Sequence, residues 1–287
     1  MVVTYAGTTA SLPAAFTYVA PSTGSNAPPT VGAIATLGSR PNQPAGMADL
    51  GESLTLSVNV TDAETAPSAL SYAWSATAGT FSGDGRSLMW TATATLSTTP
   101  QTITVTLTVV EPYVEVVNGQ SVSREHRITR SRDVRVHNSA EEVRAMARQF
   151  LLDFSVSSVP VDTVMQNFSS TCGGAQSERA DVEKNRCNYT ITDYTVGDGT
   201  PTVSFGGTCV LDNRVRNADA CVVIPVRWVS TTNPGAMSCP VWEGLAPGTT
   251  TVADGLDQVT AVYEGGRWRL CHSDFVSPNP SAHKFKK

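Results

Sequence analysis

Charge is scarce in this chain. Asp, Glu, Lys and Arg make up only 16% of its 287 residues, against roughly 25% in an ordinary soluble domain. The balance is mildly acidic at -5. There is no basic stripe to hold phosphates, so no nucleic-acid partner is expected. No apolar run approaches about 18 residues, so no membrane span is expected. A Gly-rich phosphate loop and a Gly-x-Ser-x-Gly elbow are both missing, which removes nucleotide cradling and the commonest serine-nucleophile arrangement. Nothing in the sequence implies a cofactor. The first half holds no cysteine, and none of the six cysteines of the second half forms a C-x-x-C pair. A zinc ribbon or a thioredoxin-like redox site is thereby excluded. After Met1 comes Val2-Val3-Thr4-Tyr5, with neither a basic segment nor an apolar one of signal-peptide type.

What fills the gap is Thr, Ser, Val and Ala. That composition suits pleated, half-buried surfaces of the kind extracellular β-modules present. The cysteines, Cys172, Cys187, Cys209, Cys221, Cys239 and Cys271, are even in number and confined to one region. They read as disulfides formed in an oxidising compartment, hence a secreted or cell-surface protein. An export signal is then expected to have been removed from a longer precursor. Six cysteines leave many connectivities open. The favoured one is Cys172–Cys187, Cys209–Cys221 and Cys239–Cys271, the middle pair flanking a strand-to-strand connection.

Residues 31–137 read as strand throughout. Leu54, Leu56, Val58 and Val60 alternate onto one face, Ile103, Val105, Leu107 and Val109 do the same, and Tyr72 and Trp74 share a third strand's face. Asn118-Gly119 is the expected turn of an added hairpin. Residues 21–30 form a Pro/Ser linker. In the second half, Ser139-x-x-Glu142 predicts a capping box. Val143, Met146, Ala147, Phe150, Leu151 and Phe154 then predict one apolar helical stripe. Val161, Val164, Met165 and Phe168 repeat it after Pro160. Residues 173–186 are polar, with a short helix. Strands are expected at 188–196, 202–211, 221–229, 258–264 and 267–272, the last two joined at Gly265-Gly266.

Three resemblances follow from these residues. Val2 to Tyr5, Ala6-Gly7-Thr8 and Phe16-Thr17-Tyr18-Val19 look like the closing strands of an IPT/TIG domain. Gly51-Glu52-Ser53-Leu54-Thr55-Leu56, Thr61-Asp62-Ala63-Glu64, Leu70 to Ala76 and Gly79-Thr80-Phe81-Ser82-Gly83 resemble PKD-like and cadherin-like modules of bacterial surface proteins. Helices followed by a curved sheet, ending in Tyr263-Glu264-Gly265-Gly266-Arg267-Trp268-Arg269-Leu270, resemble the NTF2-like (SnoaL-like) cone domain. The resemblances imply a multidomain chain, an all-β immunoglobulin-like sandwich followed by an α+β NTF2-like domain. The divisions expected are 1–20, 21–30, 31–137 and 138–287.

Candidate sites follow. In the sandwich, Glu52, Asp62 and Glu64 offer too few oxygens for calcium, and a solvated turn is expected there rather than a metal. In the cone, strand alternation puts Tyr189, Ile191 and Asp193 on one face and Trp268, Leu270 and His272 on another. Asp193 and His272 are the acid/base candidates of a SnoaL-like enzyme, and Tyr189 and Trp268 the ligand-binding candidates. The leading expectation is non-catalytic: a spacer module carrying a head that binds a ligand or a protein or cell-surface partner. A further alternative is a filament subunit that self-associates through residues 1–20, adding a strand to a neighbour's sheet edge.

Overall fold

The computed structural model describes residues 2–5, 8–11, 26–40, 43–197, 201–211 and 214–277. The chain begins with an antiparallel hairpin of β1 (Val2–Tyr5) and β2 (Thr8–Ser11). Phe16 to Val19, the other apolar stretch singled out near the N-terminus, lies outside the described residues.

Ten short or long strands follow. They are β3 (Thr30–Val31), β4 (Ala35–Leu37), β5 (Met47–Asp49), β6 (Ser53–Ser57), β7 (Val60–Thr61), β8 (Ser71–Ala76), β9 (Thr80–Ser82), β10 (Ser87–Thr91), β11 (Gln101–Val117) and β12 (Gln120–His137). One sheet runs β4-β6-β10-β9 and the other β5-β12-β11-β8, with β3 and β7 paired beside them. The alternating residues meet between the sheets. Leu54, Leu56, Trp90, Ile103, Val105 and Val134 form one buried cluster, and Val31, Val58, Val60, Leu107 and Val109 a second. Trp74 touches both and donates its indole N–H to the carbonyl of Gly85 at 2.9 Å. The outer face of β11 and β12 is a hydroxyl ladder, in which Thr106 meets Ser131 at 3.0 Å and Thr108 meets Thr129 at 3.3 Å.

β11 and β12 outrun the sandwich. β8 pairs with β11 only as far as Val110, yet the β11–β12 register continues to Val117 opposite Gln120. The remainder is a two-stranded ribbon in solvent, with Val114 52% exposed. Its turn uses Asn118 and Gly119 at φ 53° and 77°, the left-handed pair that a tight hairpin matched to strand twist requires.

The second half comprises α1 (Ser139–Ser155), α2 (Val161–Val164), α3 (Ala175–Asn188), β13 (Tyr189–Val196), β14 (Val203–Leu211), β15 (Arg214–Thr232), β16 (Thr250–Glu264) and β17 (Arg267–Val276). The sheet order is β13-β15-β16-β17, and β14 also pairs with β15. β15 is long enough to serve two partners: Arg214 to Val222 meet β14, and Val226 to Thr232 meet β13. Pro225 falls between them, where its missing N–H interrupts neither ladder, and its carbonyl accepts from Gly197 at 2.8 Å.

The α1 stripe packs as its period predicts. Val143, Ala147, Phe150 and Leu151 are buried against Val222, Ile224, Ala261 and Leu270 of the sheet, with Met146 and Phe154 at the margin. The cap differs from a capping box. Asn138 holds the cap position without a side-chain bond, and Glu142 accepts from the Asn138 N–H at 3.1 Å. Ser139 instead sits inside the first turn, where its hydroxyl and its N–H both donate to the Asp49 carboxylate of β5, at 2.6 and 3.0 Å. That contact belongs to a tight seam. Met47 of β5 is 2% exposed and lies in the core of the second half. His137, fully buried, has Nδ1 2.7 Å from Glu142 and Nε2 2.9 Å from the Tyr263 hydroxyl.

Three disulfides staple the second half: Cys172–Cys271, Cys187–Cys239 and Cys209–Cys221. The last matches the expected pairing. The other two correct it, because long-range contacts set which cysteines meet. Ser169 donates its N–H to Leu270, which brings Cys172 to β17. Asn233 donates its amide to the carbonyls of Arg186 and Cys187, which brings the loop after β15 to the end of α3.

Candidate functional site

Asp193 and His272 stand on β13 and β17, at opposite edges of the β13-β15-β16-β17 order, with two strands between them. Asp193 is exposed and pairs with Arg227 at 3.2 Å. His272 packs against Gly174 and has Nδ1 3.9 Å from Glu178. The alternation that put each on an inward face is broken by a bulge. On β13 the register shifts between Ile191 and Asp193, so Tyr194 and Val196 turn to the core instead of Asp193. On β17 it shifts after Leu270, so Ser273 and Phe275 face inward instead of His272. One extra residue reverses the parity of everything after it.

Tyr189 and Trp268 precede the bulges and are buried. They do not share a site. Tyr189 lines a shallow depression with Ile191 and Trp228, and donates its hydroxyl to Glu243 at 2.7 Å. Burial, reinforced by that carboxylate, pushes its pKa well up. Trp268 lines a cavity of about 80 Å³ at the seam, with Met47, Phe205 and Tyr263. Arg40 lies over the Phe205 ring at 5.3 Å there.

In the sandwich, Glu52 accepts from Arg40, Gln43 and the Asp49 N–H. Asp62 caps its own turn through the N–H groups of Glu64 and Thr65. Each is committed to a local structural bond. Among the described residues, Cys172, Cys271 and His272 form the one cluster with three metal-type ligand atoms close together, and its two sulfurs are joined to each other.

A cleft with a volume of about 130 Å³ lies between the helices and the sheet. The bulges on β13 and β17 aim Tyr194, Ser273 and Phe275 into it, beside residues of β15 and β16. Tyr194 comes from β13, Trp228 from β15, Asp257 from β16, and Ser273 and Phe275 from β17. Phe150 and Phe154 of α1 and Glu178, Asp181 and Lys184 of α3 close the other side. Tyr194 and Trp228 stack at 6.1 Å, and Trp228 meets Phe275 at 4.4 Å. Asp257 is 6% exposed and accepts from the Ser273 hydroxyl at 2.6 Å. Burial, with the Asp257 carboxylate adding to it, drives the Tyr194 pKa far up, so its hydroxyl keeps its proton. Burial works against the Lys184 charge, but Asp181 and Glu243, each 3.2 Å away, outweigh it and raise its pKa. The arrangement offers aromatic surface and carboxylate oxygens, the means of holding a small molecule.

Sequence reasoning missed Tyr194, Trp228 and Asp257. Unbroken alternation hid Tyr194, which a bulge turns inward, while Trp228 and Asp257 are brought beside it by strand register, Tyr194 lying opposite Trp228. No protein-family model matches the chain, and comparisons with curated proteins and with solved structures give no match. Among the described residues no helix is long and apolar enough to cross a membrane.

Proposed function

We propose that this is a modular extracellular protein in which an immunoglobulin-like sandwich, akin to PKD-like and cadherin-like modules, carries an NTF2-like head that binds a small ligand without transforming it. The observation that carries the reading is the aromatic cleft between α1, α3 and the sheet. Concave, mostly apolar sites with a few placed polar groups are the usual small-molecule sites. The acid/base candidates support binding over catalysis, since each has its own partner and they occupy opposite edges of the sheet. Three disulfides fit an oxidising, extracellular setting, where a small head gains from covalent cross-links.

A fragment screen followed by amide and indole NMR tests the reading. Hits are expected to perturb Trp228, Tyr194 and Phe275 and to leave the solution unchanged chemically. Hits that never touch these residues, or that are turned over, would overturn it.

A further inference from the structure

We infer that the Cys172–Cys271 disulfide masks a zinc site: its reduction by a dithiol frees two thiolates that, with the His272 imidazole, hold one zinc ion. This goes beyond the reading of the cleft as a ligand site and does not depend on it.

Three donor groups meet there at the bulge on β17. In a regular strand Cys271 and His272 would point to opposite faces. The register instead steps from Leu270 opposite Ala261 to His272 opposite Thr260, so Cys271 is the extra residue. A bulge breaks the alternation and re-aims side chains. The two sulfurs and a ring nitrogen of His272 lie within 4.8 Å of one another. Gly174 makes room for them. A Cβ there would stand 2.3 Å from the Cys271 carbonyl oxygen and 2.4 Å from His272 Nδ1.

Other bonds keep the donors together once the sulfurs part. The Leu270 N–H donates to Asn167 at 2.9 Å, and the Leu270 carbonyl accepts from the Ser169 N–H at 2.8 Å. The Ser169 hydroxyl accepts from the Cys172 N–H at 2.9 Å and donates to Glu264 at 2.8 Å. No thiol takes part in these contacts, so the loop stays docked on β17 after reduction. The two Cα atoms stand 5.7 Å apart. Two thiolates on a tetrahedral zinc ion lie about 3.8 Å apart, a spacing that rotation of the cysteine side chains reaches. Two cysteines and one histidine suit zinc and leave its fourth position to water. A ligating imidazole gives the metal one nitrogen and keeps the other for a protein partner, so the place of His272 beside Glu178 is compatible with ligation.

The reaction balances as thiol–disulfide exchange. One thiolate of the dithiol attacks the sulfur of Cys172, the more exposed of the pair, and expels Cys271 as a thiolate. The second thiol of the reductant attacks the mixed disulfide and frees Cys172. Two electrons pass to the protein, and the dithiol becomes a cyclic disulfide. Its two protons go to solvent when zinc takes both thiolates.

The test reduces the intact chain with dithiothreitol under nitrogen, removes the reductant, and titrates with cobalt(II) and then zinc. Alkylation and peptide mapping identify the bridge that opened. The reduced chain is expected to bind one cobalt ion, with thiolate-to-cobalt absorption in the near ultraviolet and the visible bands of a tetrahedral site, which zinc then bleaches. The oxidised chain should show neither. His272→Ala, reduced in the same way, should bind zinc at least about a hundredfold more weakly. If His272→Ala does not fold while oxidised, His272→Gln takes its place. Cys172→Ser should abolish the thiolate–cobalt bands, and bands that survive it would place the metal on other cysteines and overturn the proposal. It would equally be overturned by zinc affinity that the His272 variant leaves unchanged, by equal cobalt binding to the oxidised chain, or by a bridge that opens only when the chain unfolds and stays unfolded with cobalt present.

Discussion

Single side chains carry much of the order in the loop before α3. Glu264 accepts from the hydroxyls of Ser169 and, at closer range, Thr171. Ser169 in turn accepts from the N–H groups of Thr171 and Cys172, which leads to the Cys172–Cys271 bridge. The Thr171 and Ser169 hydroxyls hold the Glu264 carboxyl below the usual carboxylate range. A depressed carboxylate stabilises the fold above its unfolded-state pKa and loses that contribution as pH falls through the folded value. Glu264→Gln should therefore lower the midpoint of thermal unfolding near neutral pH. The gap to the parent chain should close as pH falls below about 4. Thermal melts at a series of pH values check this; a gap independent of pH would mean that Glu264 acts through packing alone. The same scale explains the misplaced acid/base pair. Asp193 and His272 are the expected residue types on the expected strands, and one inserted residue in each strand turns them away.

At the scale of elements, the long β11–β12 hairpin separates what folds the chain from what extends from it. Its inner half supplies Ile103, Val105, Leu107 and Val134 to the sandwich core. Beyond Glu111 the ribbon is largely exposed, held by its own register, the Arg124–Glu115 ion pair at 3.2 Å and the Tyr113–His126 stack at 4.5 Å. Exposed pairs of that kind contribute little. Replacing residues 114–123 by a two-residue Asn-Gly turn should shift the melting temperature by no more than about 3 °C. A loss above about 10 °C would show that the ribbon packs on something in solution. Elements were legible where their period was undisturbed. The α1 stripe and the Asn118-Gly119 and Gly265-Gly266 turns follow directly from local chemistry. α3 extends from Ala175 to Asn188, longer than its composition advertises. It buries Val182 together with Glu178 and Asn188, so no apolar stripe marks it.

For the whole molecule, the seam and the disulfides decide how the parts stand together. The first half contributes Met47 to the second half's core, and Asp49 to the start of α1. The bridges close spans of very different length, 99 residues for Cys172–Cys271, 52 for Cys187–Cys239 and 12 for Cys209–Cys221. Constraint of the unfolded chain grows with the logarithm of the loop. Replacing both partners of Cys172–Cys271 by Ser should cost about 4–5 kcal/mol, against about 3 kcal/mol for Cys209–Cys221. Denaturant unfolding of the two double variants gives the comparison, and peptide mapping without reductant checks the connectivity. A larger loss for Cys209–Cys221 would contradict the loop argument.

The sequence by itself determined the strand-rich first half, the helix at 139–155, the tight turns and the oxidised state of the cysteines. Each of these follows from a local periodicity, a turn's steric demand or a count of thiols. Only the tertiary structure decided which cysteines pair, which strand residues face inward and that Tyr194, Trp228 and Asp257 share a cleft. Those facts depend on strand register and on contacts between residues distant along the chain. A bulge occupies one position and carries no composition of its own, yet it reverses every side chain that follows it.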